Sequence, residues 1–401
     1  MIIAINARTL RPVPHDGIGW FTLEVVRGMV RDHPEHRFVL IGDRRHKRVP
    51  EQGNSQHERL PAAGGSKYEL LPVEGSNVEY ITIPLRTVHP LLRQLWHEFL
   101  LPGVLRRCGA DIFIAPDGII PLRTDVPCIP VIHDLNHEHR PGDIPWCERR
   151  YYRHYFPRFA RRAARVATVS RYSAEDIAAT YGISPGKIDV VPNGVAEMFS
   201  PPAPGEAEAT RREFTGGRPY FLFVSNFSPR KNVEAVIRAY NIFRSRGGGD
   251  HLLLLAGRRL YLTRELDRAL ASSPWGGDIR FTGSAGREVL RRLYGGAVAL
   301  LFVPWLEGFG IPVVEAQRCG TPCILSDSTS LPEVSGGAAL CVSPADAEAI
   351  AAAMARLITD EALRRRLTQE GLANSLRYTW QNAATEMWNC ISRTVKRETR
   401  C

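Results

Sequence analysis

The sequence predicts an α/β protein made of two doubly wound, parallel-sheet, Rossmann-like domains facing a central cleft. Three observations predict it. Short apolar runs alternate with amphipathic stretches along the chain, the pattern of βαβ units. A stretch rich in Pro, Gly and charge at 199–219 interrupts that alternation, which then restarts. The chain has 401 residues, more than one hydrophobic core organises and about right for two domains.

The first half places strands at "IIAIN" (2–6), "RFVLIG" (37–42), "DIFIA" (111–115), "CIPVIH" (128–133), "RVATVS" (165–170) and "IDVVPN" (188–193). Helices fit at 19–32, 88–106, 148–164 and 173–181, and the polar stretch 44–67 reads as a surface excursion. After the linker come strands at 220–226, 251–257, 279–283, 298–304, 322–327 and 338–342. Between them lie helices at 231–245, 262–271, 286–294 and 312–319, and three more close the chain at 346–357, 360–374 and 379–397. The expected division is a first Rossmann-like domain at 1–198, a linker at 199–219, a second Rossmann-like domain at 220–378, and a final helical segment at 379–401. In such sheets ligands sit beyond the carboxyl ends of strands.

Composition narrows the class. Apolar residues make up 44% and charged residues 23%, which is globular rather than disordered. No run of about 18 apolar residues suggests a membrane span, and "MIIAIN" reads as a buried strand rather than a signal peptide, so a cytoplasmic location is expected. The eight cysteines contain no Cys-x2-Cys pair, which argues against zinc; Cys319 and Cys323 read as buried packing residues at a helix-to-strand turn. A net charge of +10 suits nucleic acid, anionic lipid or phosphorylated small molecules, and does not choose among them.

Four strand ends carry candidate chemistry. Gly17 and Gly19 in "HDGIGWF" follow the first strand; they would let backbone N–H groups approach an anion, or simply form a turn. The full Gly-x-Gly-x-x-Gly pattern fails at Thr22, and no P-loop motif is present. Arg230 and Lys231 in "SNFSPRKN" open a helix after the first strand of the second half, and suit a diphosphate or a solvated basic cap. His133 and Asp134 end an apolar strand, where they point into the cleft or are satisfied structurally. In "EGFGIPVVE", Pro312 suits a first helical turn, and Gly308, Phe309, Gly310 and Ile311 precede it with amides available to phosphate. On one continuous helix Glu307 and Glu315 would stand about 80° apart. With Glu307 in the loop, the two instead reach separate points of one extended ligand. A carboxylate accepts paired hydrogen bonds from a ribose diol or sugar hydroxyls, though Glu315 could merely complement the helix dipole.

Together these residues resemble the retaining GT-B glycosyltransferases of family 4, glycosyltransferase group 1. The likeness spans nearly the whole chain: Gly17 and Gly19, "HDL" at 133–135, "VSRYSAEDI" at 169–177, "VVPNGV" at 190–195, "PRKN" at 229–232, "FTG" at 281–283, and Glu-x7-Glu at 307 and 315. The resemblance implies that Arg230 and Lys231 hold the donor diphosphate and that Glu315 takes the ribose hydroxyls. It implies that Glu307 and the backbone near Phe309 to Ile311 face the transferred sugar, that His133 approaches it, and that Phe281 and Thr282 flank the base. The strand-end glycine usual before "PRKN" is replaced by Ser225-Asn226, and the 44–67 stretch matches no family feature.

The implied reaction moves a hexose from a nucleotide diphosphate sugar to a glycan or lipid-linked acceptor hydroxyl with retention, in bacterial polysaccharide or glycolipid synthesis. The "PRKN" subset resembles mannosyltransferases, making GDP-mannose the first donor expected. No Asp-x-Asp occurs, so no cofactor or metal is expected, with cations and helix N-termini stabilising the leaving group. The segments 91–107 and 148–165 mix aromatic or apolar residues with Arg; they fit a peripheral contact with an anionic membrane, or ordinary packing with Arg outside. Two rivals remain: a nucleotide-sugar epimerase of the same architecture, which lacks the "PRKN" plus Glu-x7-Glu combination, and a basic nucleic-acid-binding protein, disfavoured because no such module appears.

Overall fold

A computed structural model describes residues 1–10, 16–43, 73–85, 87, 89–258 and 264–398. The chain separates into two compact units. Unit 1 comprises Met1–Val131, Arg158–Arg165 and Ile391–Cys401; unit 2 comprises Ile132–Pro157 and Val166–Cys390. The polar 44–67 excursion lies outside the described residues.

Unit 1 is built on a five-stranded parallel sheet of β1 (Ile2–Asn6), β2 (Arg37–Asp43), β3 (Val78–Ile83), β4 (Ile112–Ala115) and β5 (Cys128–Pro130), in the order β3-β2-β1-β4-β5. Its central strands are continuous apolar runs because helices cover both faces of such a sheet; Ile3, Ala4, Ile5, Phe38, Leu40 and Ile112 are all fully buried. Sequence reading places no strand at 78–83. There β3 is an edge strand, with Tyr80 and Thr82 exposed, so it lacks the solid apolar run of its neighbours.

In unit 2 a short parallel pair, β6 (Val166–Thr168) and β7 (Ile188–Val190), precedes a six-stranded parallel sheet. Its strands are β8 (Tyr220–Val224), β9 (Leu252–Ala256), β10 (Ile279–Gly283), β11 (Ala299–Phe302), β12 (Cys323–Ser326) and β13 (Leu340–Val342), ordered β10-β9-β8-β11-β12-β13. Phe221, Phe223, Val236, Tyr240, Leu253, Leu255 and Met354 build one core on a face of that sheet.

The 199–219 stretch departs from the expected structureless linker. It contains a helix, Glu206–Thr215, between left-handed Gly205 and Gly216. Arg291 of the helix Arg287–Gly296 pairs with Glu206, and Arg211 donates to the Gly296 carbonyl at 2.9 Å. High charge hides its periodicity, and the two glycines read as breakers while acting as its caps. Cys319 and Cys323 are buried at the turn before β12, as expected. Among the described residues no helix is long and apolar enough to cross a membrane.

Candidate active site

The strand order of unit 2 reverses between β8 and β11. At such a switch point the loops leaving the two strands diverge and open a crevice at their carboxyl ends. Pro229–Lys231 follows β8 as a single 3-10 turn, and the Glu307 segment follows β11. The Arg230-Lys231 and Glu307 motifs therefore meet because the sheet is wound this way.

Arg230 and Lys231 lie before the helix Val233–Ser245 rather than inside it. Between turn and helix, Asn232 takes a left-handed conformation (φ 58°) and its buried side-chain amide donates to the carbonyls of Val303, at 3.0 Å, and Pro344, at 2.8 Å. That anchor aims both cations over the end of β11. Arg230 Nη1 donates to Glu307 Oε1 at 3.0 Å and to the Leu306 carbonyl at 3.1 Å, and Lys231 Nζ pairs with the same Glu307 oxygen. The expectation gave Glu307 to the sugar and the cations to phosphate; in the structure both cations hold Glu307 as their counterion.

Burial, helped by the adjacent Arg230 charge, pushes the Lys231 ammonium down to about 8, with Glu307 acting the other way. Burial works against the Arg230 charge too, but Glu307 and Asp134 outweigh it and the guanidinium stays charged. Asp134 feels the converse: burial pushes it up, while Arg230, the Asn136 N–H at 3.0 Å and the neighbouring histidines bring it below the ordinary carboxylate range. Asp134 thus belongs to the same charged cluster as Arg230, and His133 is its neighbour in the chain.

The Gly308 loop is held by its carbonyls. Ser330 Oγ donates to the carbonyls of Glu307, at 2.9 Å, and Phe309, at 3.2 Å. Ser170 Oγ donates to the Gly308 carbonyl at 2.6 Å, and Ser173 Oγ lies 3.3 Å from that oxygen and from the His133 carbonyl. All three serines are buried. With three consecutive carbonyls occupied, the Phe309, Gly310 and Ile311 amides have no protein acceptor among the described residues. They open the helix Ile311–Arg318, with Pro312 in its first turn, where the dipole favours an anion.

Two glycines are obligatory. A Cβ at Gly308 would lie 1.9 Å from the His133 carbonyl oxygen, and Gly310 has φ 96° with Leu331 at 2.6 Å from its virtual Cβ. A third, Gly257 (φ 143°), ends β9, and its Cβ would fall 1.7 Å from the Ser225 carbonyl oxygen. The tight backbone approach here thus involves Gly257 where the family's glycine is replaced by Ser225-Asn226.

Glu315 sits one turn into the same helix and accepts the Tyr294 hydroxyl at 3.0 Å. Burial pushes its carboxyl up to about 7, opposed by Tyr294 and Arg287. Phe281 and Thr282 end β10, where Phe281 is 37% exposed and meets Phe227 edge-on at 5.7 Å. In unit 1, Gly17 and Gly19 open the helix Gly17–Asp32, but the Gly19 N–H is occupied: the Asp16 side chain accepts it at 2.8 Å. That carboxylate stands where an anion was expected.

Residues 15–197 match the family described as Glycosyltransferase Family 4, and residues 206–373 match Glycosyl transferases group 1. The two matches together span most of the chain, and the protein is a glycosyltransferase. It is 28% identical over 305 residues to O-antigen chain mannosyltransferase B of Escherichia coli, covering 76% of this chain and 78% of that one. Over 275 residues it is 29% identical to the serotype-specific mannosyltransferase WbdA of Escherichia coli, covering 67% of this chain but only 33% of that relative's length. Anabaena Alr3699/HepE, solved in complex with UDP and glucose, superposes with a TM-score of 0.71 at 15% identity, covering 98% of this chain and 99% of that one, and shares its GT-B fold.

Sequence reasoning missed several residues of this glycosyltransferase. Ser170, Ser173 and Ser330 look like ordinary loop and cap residues; Ser170 does cap the helix Arg171–Tyr181. Glu333 accepts the amides of Arg171, at 2.9 Å, and Tyr172, at 3.0 Å, completing that cap from a distant segment. In unit 1 a buried network ties the end of β1 to the end of β4. Asn6 donates to Asp117 at 3.0 Å, Arg8 pairs with Asp117 at 3.3 Å, and Arg8 also reaches His97 Nε2 at 3.2 Å. No short-range spacing connects residues so far apart in the chain.

Proposed function

We propose that this glycosyltransferase is a retaining mannosyltransferase that moves mannose from GDP-mannose to a hydroxyl of a glycan or lipid-linked acceptor in surface polysaccharide synthesis. The observation that carries the transfer chemistry is that Arg230 and Lys231 are held on Glu307, the residue that leads into the loop whose Phe309, Gly310 and Ile311 amides are unclaimed, at one sheet switch point. The sugar and pathway are supported by the relatives, O-antigen and serotype-specific mannosyltransferases.

In the step proposed, the anomeric C–O bond to the diphosphate breaks and its electron pair passes to the departing β-phosphate oxygen. Arg230, Lys231 and the helix-opening amides stabilise the charge that grows there. An acceptor hydroxyl forms the new C–O bond on the same face, and its proton passes to the departing phosphate oxygen. Glu307 and His133 face the sugar, Glu315 takes the ribose hydroxyls, and Phe281 with Thr282 flanks the base. The leaving group is stabilised by side-chain cations and backbone amide dipoles, so turnover needs no divalent metal.

The acceptor is placed on unit 1. Its helical segment 90–108 exposes Leu92, Leu95, Phe99 and Leu100, with Arg106 and Arg107 following on the same segment, which suits a lipid-linked acceptor at an anionic membrane face.

Thermal shift against GDP, UDP, ADP and CDP tests the donor: GDP should stabilise most, and a larger shift with UDP overturns the GDP-mannose assignment. Transfer from GDP-mannose should survive EDTA. Its complete loss, restored by magnesium, would contradict the metal-free step. Lys231→Ala should lower kcat by roughly 100-fold, as for loss of one oxyanion donor.

A further inference from the structure

We infer that Tyr294 is a positioning residue for donor recognition: its phenol fixes one oxygen of Glu315 so that the other is presented to a vicinal diol. The inference rests on the proposed role of Glu315 as the ribose acceptor, and it adds the group that makes that role geometrically selective.

Tyr294 is fully buried near the end of the helix Arg287–Gly296, and its position is fixed from several sides. The Thr321 hydroxyl donates to its carbonyl at 2.7 Å, and the Tyr220 hydroxyl donates to the adjacent Leu293 carbonyl at 2.7 Å. Phe199 meets its ring edge-on at 6.0 Å. From that mount the phenol donates to Glu315 Oε2 at 3.0 Å. Among the described residues no side chain donates to Oε1. A carboxylate pinned through one oxygen loses its freedom to rotate, so the remaining lone pairs point in a set direction. A phenylalanine would fill the same core volume; the hydroxyl is what the packing alone does not require.

The groups acting on Glu315 are few. Tyr294 and Arg287 come from the helix Arg287–Gly296, and Cys319 lies one turn on along its own helix. Burial raises the Glu315 carboxyl, while the Tyr294 bond and the Arg287 charge act to lower it. Removing the phenol oxygen therefore does two things: it releases the carboxylate to rotate, and it makes that carboxylate easier to protonate.

The test is calorimetric binding of GDP and of 2′,3′-dideoxy-GDP across pH 6 to 9, to wild type, Tyr294→Phe and Glu315→Gln, with UDP and its dideoxy form substituted if uridine binds better. Tyr294→Phe should weaken GDP roughly 2- to 10-fold, the worth of one hydrogen bond, leave the dideoxy nucleotide unchanged, and move the acid limb of GDP affinity to higher pH. Glu315→Gln should remove both that limb and the preference for the diol. If Glu315→Gln loses both while Tyr294→Phe keeps both, Tyr294 is a packing residue and the inference falls. If Glu315→Gln keeps both, the ribose assignment of Glu315 fails and takes the inference with it. A melting temperature for Tyr294→Phe close to wild type separates lost positioning from lost fold.

Discussion

The hydroxyl of Ser170 donates to the carbonyl of Gly308 at 2.6 Å, joining residues 138 positions apart inside a buried contact. The bond matters for what it leaves over. With its carbonyls claimed by serines, the loop turns its unclaimed amides to the other side. Ser170→Ala would leave the Gly308 carbonyl only its longer contact to Ser173 and remove the cap of the helix Arg171–Tyr181, costing about 1–3 kcal/mol of stability in urea unfolding. The loop would lose its aim, so kcat should fall by about tenfold or more while GDP affinity stays near wild type, since a near-attack geometry is sensitive to small displacements. An unchanged kcat would make the serine a helix cap only.

Gly308→Ala places a Cβ 1.9 Å from the His133 carbonyl oxygen, a distance no side chain tolerates. The loop has to shift away from the 133–134 segment, so transfer should be lost almost completely. Donor hydrolysis in the absence of acceptor should fall in parallel; a variant with normal turnover would show that the two segments separate freely.

Lys231 should make nucleotide binding consume a proton. Its ammonium is pushed down to about 8 by burial and the Arg230 charge, against an ordinary 10.5. A diphosphate raises it again, so binding above about pH 8 requires proton uptake and affinity declines as pH rises. Calorimetry at pH 8.5 in two buffers of different ionisation enthalpy should show net uptake, and Lys231→Arg should abolish it. The same shift has a stability sign. Between about 8 and 10.5 the unfolded chain binds the extra proton, so this group adds stability as pH rises through that window.

Asn232 combines a left-handed backbone with two buried donors. Asn232→Ala should cost about 2–4 kcal/mol, from two lost hydrogen bonds plus the poorer fit of alanine than asparagine to a left-handed backbone. Asn232→Gly removes the strain but not the lost bonds, so its urea midpoint should fall between those of Ala and wild type. Equal midpoints would mean that φ carries no cost at this position.

The legible parts of this fold were those where one residue class repeats. Parallel strands buried on both faces announce themselves, and β1 and β10 occur at the residues their apolar or strand-like runs suggested. The edge strand β3 did not, because half of it faces water. The helix Glu206–Thr215 was masked by its charge and its flanking glycines. At the site, Arg230, Lys231, Glu307 and Glu315 were visible because charge at a strand end is conspicuous. Tyr294, Ser170 and Ser330 were not: a buried hydroxyl shows its partner only after folding has brought distant segments together.

Glu307 gives the two cations a common partner before any nucleotide arrives. An incoming anion therefore gains by exchange rather than by meeting bare charge. In the binding mode proposed above, a lone phosphate would offer little beyond the carboxylate it displaces, whereas a diphosphate would span Arg230, Lys231 and the helix-opening amides together. When the spent nucleotide departs, the carboxylate is at hand to take back its place, so the same contact that screens small anions also eases product from the enzyme.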